Sequence, residues 1–89
     1  LSGAILSGAN LSGATVNGTQ LEDVYKKDLS ITNLSGLDLT DVNFKDFNLT
    51  GANLTKAILT GADLTGADIT GADFTGAIGV NYKGTLINN

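Results

Sequence analysis

Asp63, Asp68 and Asp73 recur at intervals of five residues, so in linear sequence they look like a ladder of carboxylates able to hold a hard cation. Calcium needs about 6–8 oxygens converging on one point, so the ladder works only if the chain brings these side chains together. Ser2, Ser7, Ser12, Ser30 and Ser35 are the hydroxyls that could act as nucleophiles, and a nucleophilic serine needs a positioned base. The chain has neither His nor Cys, which removes the common base, the thiolate nucleophile and the usual zinc and iron–sulfur ligand sets. Thr50, Thr55, Thr60, Thr65, Thr70 and Thr75 form a second regular series, and flat arrays of threonine suggest ice binding. Whether any of these series converges depends on the element that carries it.

That element is a five-residue repeat, clearest from Gly51 to Ala77: GANLT KAILT GADLT GADIT GADFT GA. Each unit has a large apolar centre. In the second block the centres are Leu29, Leu34, Leu39, Phe44, Leu49, Leu54, Leu59, Leu64, Ile69 and Phe74. Two residues before the centre stands a small residue (Ala52, Ala57, Ala62, Ala67, Ala72), with Asn, Asp or Ile between the two. Thr and then usually Gly follow. A first block repeats the pattern with centres Leu1, Leu6, Leu11, Val16 and Leu21.

A period of five suits neither a helix, which wants apolar residues three or four apart, nor a long strand, which wants alternation. Each unit therefore reads as a short extended edge plus a corner. The small residue and the centre are two apart and face inward, the Asn or Asp between them faces outward, and Thr-Gly turns the chain. Square closure takes four units, 20 residues per coil, with coils stacked at ~4.8 Å and the interior filled by columns of Leu, Phe and Ala. On that geometry Asp63, Asp68 and Asp73 lie on three different faces and hold no metal together, and each face presents one threonine of the series per coil, so no face is an ice-binding array. Position 43 lies under 63 and 48 under 68. Asn33, Asn53 and Asp73 share a third face, and Asp38, Ile58 and Ile78 the fourth, where the two isoleucines point outward one above the other as a candidate partner contact.

The run GANLTKAILTGADLTGADITGADFTGA resembles the pentapeptide-repeat family, with its consensus A-(D/N)-L-x-x. The resemblance extends over about residues 1–79, some fifteen units in tandem. It implies an all-β fold, a right-handed quadrilateral β-helix of about four coils of four pentapeptides. It also implies kinship with cyanobacterial and plastid proteins, and hence a cyanobacterial cytoplasm, thylakoid lumen or plastid setting.

The pattern breaks in three places. Between Leu21 and Leu29 the step is eight residues, so residues 22–28 form a register-break loop, and Tyr25, Lys26 and Lys27 are its candidate partner contacts. In residues 37–48, Leu37, Val42 and Phe47 replace the small residue and Asp41 and Asp46 replace the corner glycine, which calls for a wider coil or a different turn. After Ala77 the repeat lapses, Gly79 stands at a centre position, and residues 79–89 are expected to form a tail covering the last coil. The first coil, which opens on LSGAILSG with no cap before it, is expected to meet upstream chain or another protein. The chain thus reads as one domain: residues 1–21, the 22–28 loop, residues 29–78 and the 79–89 tail.

Nine acidic against five basic residues gives a net charge of -4, with no basic stripe for a phosphate backbone, so direct nucleic-acid binding is not expected. No apolar run approaches the ~20 residues of a membrane span. The five N-x-S/T sequons, at Asn10, Asn17, Asn33, Asn48 and Asn53, follow from the repeat itself. No enzyme activity and no cofactor are expected; a longer parent chain could add an enzyme or regulatory domain to such a repeat. The leading expectation is a structural or protein-interaction module, an accessory or scaffold subunit binding a protein partner or itself through its coil ends. The alternative, which the resemblance implies, is a DNA mimic acting on a type II topoisomerase; its known examples are longer and dimerise through a C-terminal helical element that VNYKGTLINN does not resemble. Leu64→Asp places an unpaired charge in the interior and should abolish the folded state, read as loss of the cooperative transition in circular dichroism.

Overall fold

The computed structural model describes residues 3–13 and 18–86; the expected centres Leu1 and Val16, with Ser2, Ala14 and the Asn17 sequon, lie outside the described residues. Among the described residues no edge is long enough to be a continuous strand. Each unit instead contributes one bridging residue, the Asn, Asp or Ile before the centre. The parallel bridges Asp28↔Asn48, Asn33↔Asn53, Asp38↔Ile58, Asn43↔Asp63, Asn48↔Asp68, Asn53↔Asp73 and Ile58↔Ile78 each join residues 20 apart. With a unit of five this gives four edges per turn, as the square closure requires. In all but Ile58↔Ile78, which has the first two, three backbone bonds make the contact, as where Asn53 N–H donates to Thr32 C=O (2.9 Å), Leu34 N–H to Asn53 C=O (2.7 Å) and Gly36 N–H to Thr55 C=O (2.9 Å).

The centres converge on the axis. Leu29, Leu34, Leu39, Phe44, Leu49, Leu54, Leu59, Leu64 and Ile69 are buried with Leu21, Val24 and the residues at the small positions. Phe74, expected in the core, is only half-buried because it lies in the last full turn and packs against the cluster from one side. Burying each Leu contributes about 1.5–3 kcal/mol, so the interior column supplies the driving force for coiling.

Each corner is a turn in which the small residue's N–H closes on the preceding centre's carbonyl, as in Ala57 N–H to Leu54 C=O (3.1 Å). The residue two after the centre takes a positive φ. Residues 37–48 keep this same turn instead of changing it. Leu37, Val42 and Phe47 close on Leu34, Leu39 and Phe44 at 3.4, 3.2 and 3.0 Å, and Asp41 and Asp46 take φ of 61° and 63°. The larger side chains are absorbed inside, where the Phe44 and Phe47 rings meet edge-on at 5.4 Å. The corner residues follow a stacking rule. Each non-glycine corner (Ile31, Asp41, Asp46, Lys56) is overlaid on the next coil by glycine (Gly51, Gly61, Gly66, Gly76), and the side chain below occupies the space a Cβ would need.

The break between Leu21 and Leu29 is narrower than residues 22–28. Leu21 and Val24 are buried in the two inward positions, and Asp28 bridges Asn48 normally. The excess is the three residues Tyr25–Lys27, a short 3-10 turn in which Lys26 and Lys27 take φ of 53° and 52°. Tyr25 N–H donates to Ala4 C=O (2.8 Å) and Asn48 N–H to Lys27 C=O (2.9 Å), so both sides of the insert stay in the ladder. Below it the pairing offset grows by the same three residues, with Asn10 opposite Asn33. Thr32, the buried polar residue at a small position, ties the two blocks through its hydroxyl to Leu6 C=O (2.9 Å).

The tail differs from expectation. It does not leave the repeat but rejoins it two residues early, because Asp68 bridges Leu86 where a regular coil would offer residue 88. Gly79 is the corner glycine of a shortened unit (φ 73°), Val80 is packed on the core, and Asn81-Tyr82-Lys83-Gly84 repeats the bridging residue, centre and corner. The Tyr82 ring meets Phe74 edge-on at 5.4 Å and half covers the end of the core.

Gly66→Ala must adopt a left-handed φ and also displace the Asp46 carboxylate, whereas Gly36→Ala adds a Cβ with nothing within 4 Å. Both variants should lose about 1–2 kcal/mol from backbone conformation. Gly66→Ala should lose measurably more, compared by urea denaturation; equal losses would refute the stacking rule.

Candidate functional site: the outer faces

The outward side chains follow from the bridges. Face one carries Asn43 and Asp63, and face two Asp28, Asn48 and Asp68 with Leu86 above. Face three carries Asn10, Asn33, Asn53 and Asp73, and face four Asp38, Ile58 and Ile78. Asp63, Asp68 and Asp73 thus fall in three separate columns, and no acidic cluster with metal-holding geometry occurs among the described residues. The described residues enclose no pocket, and none of their helices is long and apolar enough to cross a membrane.

The outward Asn and Asp residues are not simply solvated, as a carboxylate on a bare edge would be. In Asn10, Asp28, Asn33, Asp38, Asn43, Asn48, Asn53, Asp63, Asp68, Asp73 and Asn81, Oδ1 accepts the backbone N–H two residues on, at 2.9–3.1 Å. Where that residue is Ser or Thr its hydroxyl donates to the same oxygen in most units, at 2.6–2.8 Å, as in Thr40 to Asp38 and Thr75 to Asp73. The threonine series that could suggest an ice-binding face is therefore largely turned along the chain to cap its own corner. The Asn–leucine–Thr order of the repeat is the sequence signal for this bond.

These bonds favour the ionised carboxylate. Asp28, Asp38, Asp63, Asp68 and Asp73 are all held below the ordinary value of 3.8, first by the hydroxyl and then by the backbone N–H of the residue two places on. Asp63 also feels the Lys45 ammonium.

Of the five candidate contact residues, the structure brings Ile58 and Ile78 together as bridge partners on face four; Ile78 is exposed and Ile58 half-buried. Neither offers the Oδ1 acceptor found at this position elsewhere. Tyr25, Lys26 and Lys27 are all exposed on the insert at the start of face two, with the Lys26 ammonium 5.2 Å from the centre of the Tyr25 ring. The two groups stand on different faces of the stack and do not form one surface. Sequence reasoning passed over Ile31, which occupies a glycine corner with φ 49° and is 68% exposed. The signal for it was the break in the Thr-Gly pair, since Ser30-Ile31 stands where Ser-Gly or Thr-Gly is the rule.

A family model of pentapeptide repeats matches the chain in eight copies over residues 1–25 and 44–78. The chain belongs to the pentapeptide-repeat family. The unmatched stretch, residues 26–43, holds Lys26 and Lys27 of the insert together with Leu37 and Val42. No curated protein matches the chain by sequence. Among solved structures it is similar to HetL, a pentapeptide-repeat protein involved in heterocyst differentiation regulation from the cyanobacterium Nostoc, at 28% identity with a TM-score of 0.53. That match covers 97% of this chain and 46% of HetL. It is also similar to Rfr23, a pentapeptide-repeat protein from the cyanobacterium Cyanothece, at 32% identity over 68% of this chain and 50% of that one, with a TM-score of 0.39. The chain spans about half the length of each of these structures.

Because the folded pKa of the five aspartates is depressed, their contribution to stability is complete above the unfolded value and is lost as pH falls through the folded one. Thermal stability should therefore fall as pH drops below about 4, the unfolded range for Asp. Asp38→Asn combined with Asp73→Asn keeps the Oδ1 acceptor, as Asn53 does, and should flatten that fall while leaving stability at pH 7 little changed. A melting series from pH 7 to about pH 2 checks this, and an unaltered acid limb in the double variant would count against it.

Proposed function

We propose that this pentapeptide-repeat protein is a non-catalytic structural or protein-interaction module, serving as an accessory or scaffold subunit of a larger assembly. The observation that carries this reading is the way the side chains are used. The apolar centres fill a closed interior, the outward Asn, Asp and Thr residues cap their own corners, and the described residues leave no pocket for a small substrate. What remains available is surface: four faces and an exposed insert. In solenoids, extended surfaces of this kind serve as binding platforms. The regulatory role named for HetL agrees with an interaction module, although that protein is twice as long. The right-handed sense, the count of about four coils and docking through coil ends belong to the same proposal.

Charge density weighs against mimicry of duplex DNA. The molecule extends 28 Å in its longest direction, a length over which B-DNA presents about 16 phosphate charges, and it carries a net charge of -4.

Affinity capture of the protein from its native source, with mass spectrometry and crosslink mapping, tests the module reading. A stoichiometric partner crosslinked to an outer face, the insert or a coil end is the expected result. Recovery of a topoisomerase, with inhibition of supercoiling by micromolar protein, would replace the module with the DNA mimic.

A further inference from the structure

The insert Tyr25–Lys27 interrupts one edge between the buried Val24 and the bridging Asp28. Its two lysines are adjacent, and both hold the left-handed φ that glycine adopts without cost, 53° at Lys26 and 52° at Lys27. The chain has no arginine, and all five of its lysines are exposed, so exposure singles out none of them. The backbone does. Asp46 N–H, in the peptide bond after Lys45, donates to Thr65 C=O on the next coil (2.9 Å), and Lys56 N–H donates to Thr75 C=O (2.9 Å). Drawing either segment into the extended form that an endopeptidase binds breaks the ladder. Among the described residues Lys26 makes no backbone hydrogen bond to another coil. The bonds nearest it close the insert's own turn, Lys27 N–H to Val24 C=O (3.1 Å) and Asp28 N–H to Tyr25 C=O (3.0 Å). Opening that turn costs less than opening an edge, and it releases two left-handed residues.

We propose that the Lys26–Lys27 peptide bond is a processing site for a trypsin-class endopeptidase, one whose specificity pocket takes a basic side chain, and that its hydrolysis leaves a solenoid of two chains that stay assembled. Water adds across the amide: the C–N bond breaks, Lys26 gains a carboxylate and Lys27 an ammonium. Residues 1–26 and 27–89 remain joined between coils. Gly8 N–H donates to Ser30 C=O (3.1 Å), Leu11 N–H to Asn33 C=O (2.8 Å) and Asn33 N–H to Ala9 C=O (2.8 Å). The Thr32 hydroxyl adds its bond to Leu6 C=O, and Leu21 and Val24 stay in the shared core. The cut therefore turns an intramolecular contact into an intermolecular one, and the first block becomes releasable by dilution. Processing at this bond is independent of what the outer faces bind.

Trypsin is the probe, added at a low ratio to the folded Lys83→Gln chain, which lacks the lysine of the tail, with products identified by intact mass. The first cut should fall at Lys26–Lys27, about tenfold faster than after Lys45 or Lys56, because cleavage tracks the population of the locally opened chain. The two pieces should co-elute on size exclusion at neutral pH and separate in urea, and the melting temperature should rise with protein concentration only after the cut. Lys26→Gln with Lys27→Gln should abolish this cut at an unchanged melting temperature. A first cut after Lys45 or Lys56, cutting at the insert only once urea has unfolded the whole chain, or pieces that part at neutral pH would each overturn the proposal.

Discussion

In the regular coils each edge is held by two or three backbone hydrogen bonds to the edge 20 residues away, made around a single bridging residue. Within its own unit an edge has only the bond that closes its corner. The hydrogen-bonding capacity of the backbone is therefore satisfied between coils, and an isolated coil would leave it exposed to water. The apolar centres obey the same constraint, since a layer of Leu29, Leu34, Leu39 and Phe44 is closed only when the layer of Leu49, Leu54, Leu59 and Leu64 covers it. Stability thus resides in the contact between coils, as in other solenoids. A change in one unit is felt by the units directly above and below it.

That constraint explains how the irregular segments are tolerated. The insert adds three residues within one edge, between the inward Val24 and the bridging Asp28, and both of its ends remain bonded to the coils on either side. The tail drops the centre that would follow Ile78 and the residue after it, and again restores the pairing, with Asp68 opposite Leu86.

The outer surface is governed by a local bond. The Oδ1 of the bridging residue caps the next corner, which fixes the turn and depresses the carboxylate pKa values. Polar side chains that might form a site are thereby occupied in shaping the backbone. Ile58 and Ile78 depart from this pattern because they have no Oδ1, and Ile31 and Tyr25 leave exposed apolar side chains beside capped corners.

The repeat, its square closure, the inward centres and the sorting of Asp63, Asp68 and Asp73 onto different faces were all legible in the sequence, because a period of five in a chain with positive-φ corners has few closures. The stacking of Ile58 beneath Ile78 followed from the same count. The corner bonds were hidden, since Asn or Asp followed by Thr reads equally well as solvated surface. The Asn-Tyr-Lys-Gly unit in the tail was present in the sequence but masked by the two-residue deletion before it. The overlay of Asp41 by Gly61 and the bond from Thr32 to Leu6 depend on which residues the coils bring into contact. Sequence determined the unit and its period, because those arise from side-chain alternation and turn propensity along the chain. Tertiary structure decided how the insert and tail are accommodated, because that depends on bonds between residues one coil apart.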